Sequence, residues 1–185
     1  STGLSKEQDI EKAINIAKNQ HKRIAILHCN TAYPTLDEDT NLASITYMKE
    51  KYPEIEIGYS DHSTDELACI GAVYLGATII ERHITLRRDI PNAQDWKVSS
   101  MPNELKKLRV NIDRAAVQIG KKEKTVTQSA MANIEWACKS PYYNDNYKKG
   151  TLLKEDMFKM KRPYTGINYE TIIKYIGEYK LERDV

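Results

Sequence analysis

The sequence predicts an α/β fold built on a parallel sheet. Short β-prone runs alternate with amphipathic helical segments, the rhythm of βαβ units. The β-prone runs are also near-continuously apolar, as strands covered on both faces are. Polar residues close them, at the strand ends where parallel sheets gather ligands. With 185 residues and 41% hydrophobic content, the chain suffices for one large domain or a medium one with a small appendage.

The elements follow in order. Ser5 before Lys6, Glu7 and Gln8 reads as a cap, and Ile10, Ala13, Ile14 and Ala17 recur at helical spacing, so a helix is expected over residues 5–18. Ser1-Thr2-Gly3 then closes a preceding strand. With no initiating methionine, the chain is expected to enter a domain already under way. Residues 24–29 form a compact β-prone run, and residues 30–39, with Tyr33-Pro34, supply turn chemistry. A helix over about 41–51 stops before Pro53. Residues 55–60 are the next strand, 64–75 the next helix, and 77–83 the last clear strand. An irregular stretch over 86–102 leads into an amphipathic helix over 103–119, ended by Gly120.

Gly120-Lys121-Lys122-Glu123-Lys124 breaks the pattern and reads as a solvated linker. Beyond it a turn is expected at Lys148-Lys149-Gly150, a short helical turn and strand over 153–160, and a weak helix over 169–175. Many tyrosines after Trp136 imply a small module packed by aromatics.

Composition excludes several classes of function. The 28 basic and 26 acidic residues give a formal charge of +2 without a long single-sign block, which argues against nucleic acid and leaves small anionic ligands open. Cys29, Cys69 and Cys138 are widely spaced and form no CxxC pair, a pattern of reducing compartments. No run approaches transmembrane length and no signal-peptide pattern is seen, so no membrane partner and a cytoplasmic location are expected.

Chemistry concentrates in residues 56–85. Side chains alternate along a strand, so Gly58, Ser60 and His62 share one face, as do Glu81 and His83 on the next strand. Cys29, Thr31 and Tyr33 are expected to join them from the first strand. Two imidazoles without a thiolate pair suit a divalent ion with open positions for water and substrate oxygens, able to polarise a carbonyl. Strand-end histidines also serve as hydrogen-bonded structural residues, and the residues alone leave both readings open. His28 is expected to face the other way and pack, His21 to be solvated, and Cys29 to be a small core residue. Asp61 reads as the cap that starts the following helix, ahead of a role orienting an imidazole. Glu81 is harder to dismiss, because a carboxylate in a sheet mouth is costly unless paired or functional.

His28-Cys29-Asn30-Thr31-Ala32-Tyr33-Pro34, Gly58-Tyr59-Ser60-Asp61-His62-Ser63, Ile80-Glu81-Arg82-His83-Ile84-Thr85 and Lys161-Arg162-Pro163 stand in the order and approximate spacing of one family. Through them the chain resembles the sialic acid synthases (N-acetylneuraminate synthases), whose relatives make legionaminic, pseudaminic and spore-coat nonulosonic sugars. The resemblance covers nearly the whole chain. It implies the second half of a TIM (β/α)8 barrel over residues 1–120, a linker over 121–126, and an incomplete antifreeze-like (SAF) domain over 127–185. It also implies a swapped homodimer and a missing N-terminal barrel half, supplied as another segment or replaced by association at the unpaired strand edges.

The reaction implied joins phosphoenolpyruvate to the open-chain aldehyde of an N-acetylmannosamine-type sugar, leaving a 2-keto acid and phosphate. By the same resemblance His62 and His83 hold a divalent metal, manganese first, with magnesium or cobalt as alternatives. Glu81 handles a proton or positions the attacking water. Ser1, Thr31 and Ser60 meet phosphoenolpyruvate, and Tyr33 and Asp95 the sugar, with Asp89 as the alternative to Asp95. Arg162 reaches the N-acyl group in the partner's site, and Trp136 is an aromatic beside it.

Three departures from the family bear on this reading. Thr31 replaces asparagine or serine, Pro91-Asn92-Ala93-Gln94-Asp95-Trp96 replaces a proline-glycine-proline-aspartate run, and the family's N-terminal lysines and glutamate lie outside the chain. Alone, the chain is therefore expected to be inactive. The alternatives are a metal-dependent barrel aldolase or hydrolase using the same histidines, and a non-catalytic sugar-binding module.

Overall fold

The computed structural model describes residues 1–20 and 23–185, and within it the chain forms two compact units, Ser1–Lys121 and Lys122–Val185. The expectation for His21 lies outside the described residues. Among the described residues no helix is long and apolar enough to cross a membrane.

In the first unit α1 (Glu7–Lys18), β1 (Ala25–Cys29), the short α2 (Asp37–Thr40), α3 (Ala43–Lys51), β2 (Glu56–Asp61), α4 (Leu67–Tyr74), β3 (Ile79–Arg82) and α5 (Pro102–Ile119) follow in order. The three strands form one parallel sheet, β1-β2-β3. Central β2 is buried from Ile57 to Asp61, whereas β3 at the edge is only half covered. This explains why β2 carries the longest unbroken buried run.

The core gathers Ile26, Ile57 and Tyr59 from the sheet with Ile45, Met48, Cys69 and Ala72 from the helices. Helix α5 adds Leu108, Ile112 and Ala115, at the spacing that keeps one helical face on the sheet. Pro102 opens that helix with its fixed φ, Glu104 reaches back to the Met101 N–H at 2.8 Å, and Gly120 leaves it at φ 61°.

Several expected boundaries shift. Lys6, not Ser5, stands at the N-cap of α1, and the Asp9 carboxylate accepts the Lys6 N–H at 3.1 Å. The expected turn over 30–39 runs into α2, whose three acidic residues Asp37, Glu38 and Asp39 favour a helix N-terminus. Asn41, in the left-handed region at φ 43°, then separates α2 from α3. Sequence periodicity does not show this break, because asparagine adopts that conformation without a glycine's signature.

The second unit contains α6 (Gln128–Met131), α7 (Ile134–Ala137), β4 (Ser140–Tyr143), β5 (Phe158–Lys161) and α8 (Tyr169–Ile173). β4 and β5 pair antiparallel. Its small core centres on Leu153, Met157 and Leu181, flanked by Tyr143, Tyr147 and Phe158. Tyr143 and Phe158 face each other across the hairpin with ring centroids 5.0 Å apart.

Candidate functional site

The parallel register decides what meets at the sheet's carboxyl edge. Cys29 pairs with Ser60, Ser60 with Glu81, and Asp61 with Arg82. Alternation then sends Ser60 and His62 to one side with Glu81 and His83, and Asp61 and Arg82 to the other. Seven of the ten expected residues, Ser1, Thr31, Tyr33, Ser60, His62, Glu81 and His83, line one open cleft of about 320 Å³. Gly3 keeps Ser1 close, since a Cβ there would sit 2.4 Å from Thr31 Cγ2.

Three rings form the floor. Tyr33 stacks on His62 with centroids 4.1 Å apart, and His62 and His83 approach edge to face at 5.2 Å. His62 is buried, and its Nδ1 lies 2.6 Å from the Asn30 carbonyl oxygen. A carbonyl only accepts, so Nδ1 is the nitrogen that carries the proton, and in the neutral ring Nε2 is then the one with the lone pair. The Cys29 thiol sits 3.8 Å from the same Nδ1. Ser60 Oγ donates to Glu81 Oε1 at 2.7 Å, giving that carboxylate a fixed partner inside the cleft. Burial first, and then the neighbouring acidic groups, pushes the Tyr33 phenol up, so it stays a neutral hydroxyl.

Of the remaining three, Asp95 belongs to the first unit and Trp136 and Arg162 to the second. Asp95 sits at the start of a 3-10 turn, mostly exposed, with Oδ2 3.8 Å from His83 Nδ1. That is an electrostatic neighbour of the imidazole, too distant for a hydrogen bond. Trp136 and Arg162 belong to the second unit. There the Trp136 indole N–H donates to Asn133 Oδ1 at 2.9 Å, and Arg162 Nε donates to the Ala137 carbonyl at 3.2 Å.

Asp61 requires a correction. Helix α4 begins six residues later, with Glu66 at its N-cap position, so Asp61 does not start it. Its fully buried carboxylate instead accepts the Ser63 N–H at 2.8 Å and the Tyr59 hydroxyl at 3.1 Å on Oδ1. Oδ2 takes the Cys69 thiol at 3.0 Å and an ion pair with Arg82. Burial first, then that carboxylate, pushes both the Cys69 thiol and the Tyr59 phenol well up. His28 packs beside this layer, its ring stacked on Tyr59 and Nε2 2.9 Å from the Thr40 carbonyl. Sequence reasoning missed Arg82 and Asn30. Asn30 acts through a backbone carbonyl and leaves no residue-type signal.

Among the described residues no group of three or more His, Cys, Asp and Glu side chains is placed to hold an ion. The donor set here is the imidazole pair. It fits a divalent cation with open positions, because a ligating histidine is oriented by tying its other ring nitrogen to a carbonyl, as His62 is to Asn30.

Comparison with known proteins gives this geometry a family. The NeuB family model matches residues 1–124, about two thirds of the chain. The chain belongs to the NeuB family. This NeuB-family chain is 34% identical over 181 residues to the N,N'-diacetyllegionaminic acid synthase of Campylobacter jejuni, covering 96% of the chain and 54% of that enzyme. It superimposes on the crystal structure of N-acetylneuraminic acid (sialic acid) synthetase from Leptospira borgpetersenii in complex with citrate. That match has a TM-score of 0.64 and 37% identity, and spans 72% of this chain and 46% of that one. A spore coat polysaccharide biosynthesis protein from Bacillus subtilis matches over 99% of this chain and 56% of its own, with TM-score 0.58 and 26% identity. The NeuB-family chain thus has the α/β fold of sialic acid synthase structures and synthases as relatives. It spans about half the length of the relatives it matches.

Proposed function

We propose that the cleft is the metal-holding part of a nonulosonic acid synthase site, condensing phosphoenolpyruvate with an N-acyl amino sugar of the N-acetylmannosamine type. One observation carries the reading. Seven residues chosen from sequence converge on one cleft, with His62 held in the tautomer that leaves Nε2 free. In this reading the first unit is the second half of a (β/α)8 barrel and the second an antifreeze-like domain. The protein works as a swapped homodimer in the cytoplasm, with Arg162 and Trp136 meeting sugar in the partner's site.

His62 and His83 hold a divalent cation, with manganese expected first, which supplies Lewis acidity to the sugar aldehyde. Ser1, Thr31 and Ser60 bind the phosphate and carboxylate of phosphoenolpyruvate. Tyr33 and Asp95 orient the sugar, so that the phosphoenolpyruvate methylene carbon faces the aldehyde carbon. As that C–C bond forms, the aldehyde oxygen gains a proton and C2 becomes electron-poor. Water adds there, Glu81 takes its proton, and breaking the C2–O bond releases phosphate and leaves the 2-keto acid. The lysines and glutamate absent from this chain belong to the barrel half that the proposal requires.

The test is phosphate release by the chain together with that half. Release that needs both phosphoenolpyruvate and an N-acyl hexosamine, lost on chelation and restored by Mn2+, is expected. Turnover of one substrate without phosphoenolpyruvate would instead mark an aldolase or hydrolase, and sugar affinity without product a binding module.

A further inference from the structure

Behind the cleft, on the opposite side of the two strand ends that carry the imidazoles, lies a second polar layer whose side chains are not among the cleft lining. Asp61 and Arg82 are direct register partners of β2 and β3. Their side chains are 0% and 4% exposed. Two buried charges in contact are costly to desolvate and are weak evidence for stability. What they touch points elsewhere. Asp61 Oδ1 holds the Ser63 N–H at 2.8 Å, and Arg82 Nη1 donates to the Ser63 carbonyl at 3.0 Å, so the pair grips the residue after His62 at both backbone groups. Arg82 Nε also donates to Ser100 Oγ at 3.1 Å, and the Ser100 N–H donates to the His83 carbonyl at 2.9 Å. One guanidinium therefore ties the backbones around both imidazoles.

We propose that the Asp61–Arg82 pair positions the cleft, setting the spacing of His62 and His83 from the far side of the sheet. They are positioning residues, since neither lines the cleft. A planar guanidinium with separate Nε and Nη donors is needed, because the two tethers run in different directions; a lysine ammonium has one centre and cannot span both. The inference rests on the metal reading only for one of its three readouts.

The experiment uses the full chain with Asp61→Asn, Arg82→Lys and the double variant Asp61→Asn/Arg82→Met. The first readout needs no metal: 15N-resolved imidazole signals of His62 and His83. The second is Mn2+ affinity, and the third is the urea midpoint of unfolding. Asp61→Asn strands a buried cation and is expected to lower the midpoint. The double variant removes both charges and is expected to recover it. Positioning predicts that the double variant, although stable, keeps shifted imidazole signals and binds Mn2+ roughly 10–100-fold more weakly, the usual effect of losing groups that orient ligands. Arg82→Lys should stay stable and share that loss. Parent-like imidazole signals in a stable double variant would overturn the proposal. No Mn2+ binding by the parent would remove the metal reading alone, and the imidazole signals would still decide the positioning role.

Discussion

At the scale of single residues, the cleft depends on a few hydrogen bonds whose direction is fixed by chemistry. Ser60 spends its one hydroxyl proton on Glu81. Ser60→Ala leaves that carboxylate without its partner, and a hydrogen bond to a charged group is worth about 1.5–3 kcal/mol. The proposed condensation is expected to fall roughly 10–100-fold in phosphate-release kinetics, and the unfolding midpoint to drop with the lost bond. Cys69 and Tyr59 make a different prediction. Burial and the Asp61 carboxylate raise both above their ordinary values of 9.0 and 10.0. Above those values the unfolded chain loses protons that the folded chain keeps, so stability is full below about pH 9 and declines as pH rises further. Cys69→Ala should flatten that decline in urea midpoints taken across the alkaline range. A parent whose midpoint does not fall there would contradict the burial argument. The alternation of side chains made Ser60, His62, Glu81 and His83 legible from sequence. The Asp61–Arg82 contact was not, because it requires knowing which residue of β3 lies opposite which residue of β2.

At the scale of elements, β2 is the strand with least freedom. Gly58 lies against β3 so closely that an added Cβ would sit 2.6 Å from the Ile79 carbonyl oxygen and 2.9 Å from Ile79 Cβ. A backbone oxygen in a ladder cannot step aside as a flexible side chain can. Gly58→Ala is expected to destabilise the first unit by about 1–3 kcal/mol and to spread β2 from β3. A variant as stable as the parent in urea unfolding would contradict this packing. On α5, Leu108 is 3% exposed beside Ile112 and Ala115, and Leu108→Ala is expected to cost about 2–5 kcal/mol. Helix α5 and the three strands were readable because their apolar periods are long and uninterrupted. Helix α2 was not, since four residues with three acidic side chains carry no apolar period at all.

At the scale of the whole molecule, the compositional break at Lys121 to Lys124 coincides with the division into two compact units. The residues there are exposed and belong to no helix or strand. Limited trypsin treatment is expected to cut at these lysines before the basic residues of α5, as mass spectrometry of the early products would read. First cuts within α5 would contradict it. The family was legible because four short motifs stand in register along the chain. The role of the second unit was not, since residue types alone carry no information about how two units are arranged.

By the proposed function, the carboxyl ends of β2 and β3 present a two-imidazole metal centre. Pulsed EPR of Mn2+ bound to protein carrying 15N-labelled histidine tests it most directly. Coupling to two imidazole nitrogens is predicted, falling to one in His62→Ala and in His83→Ala. Absence of nitrogen coupling in the parent, or two couplings surviving either substitution, would contradict it.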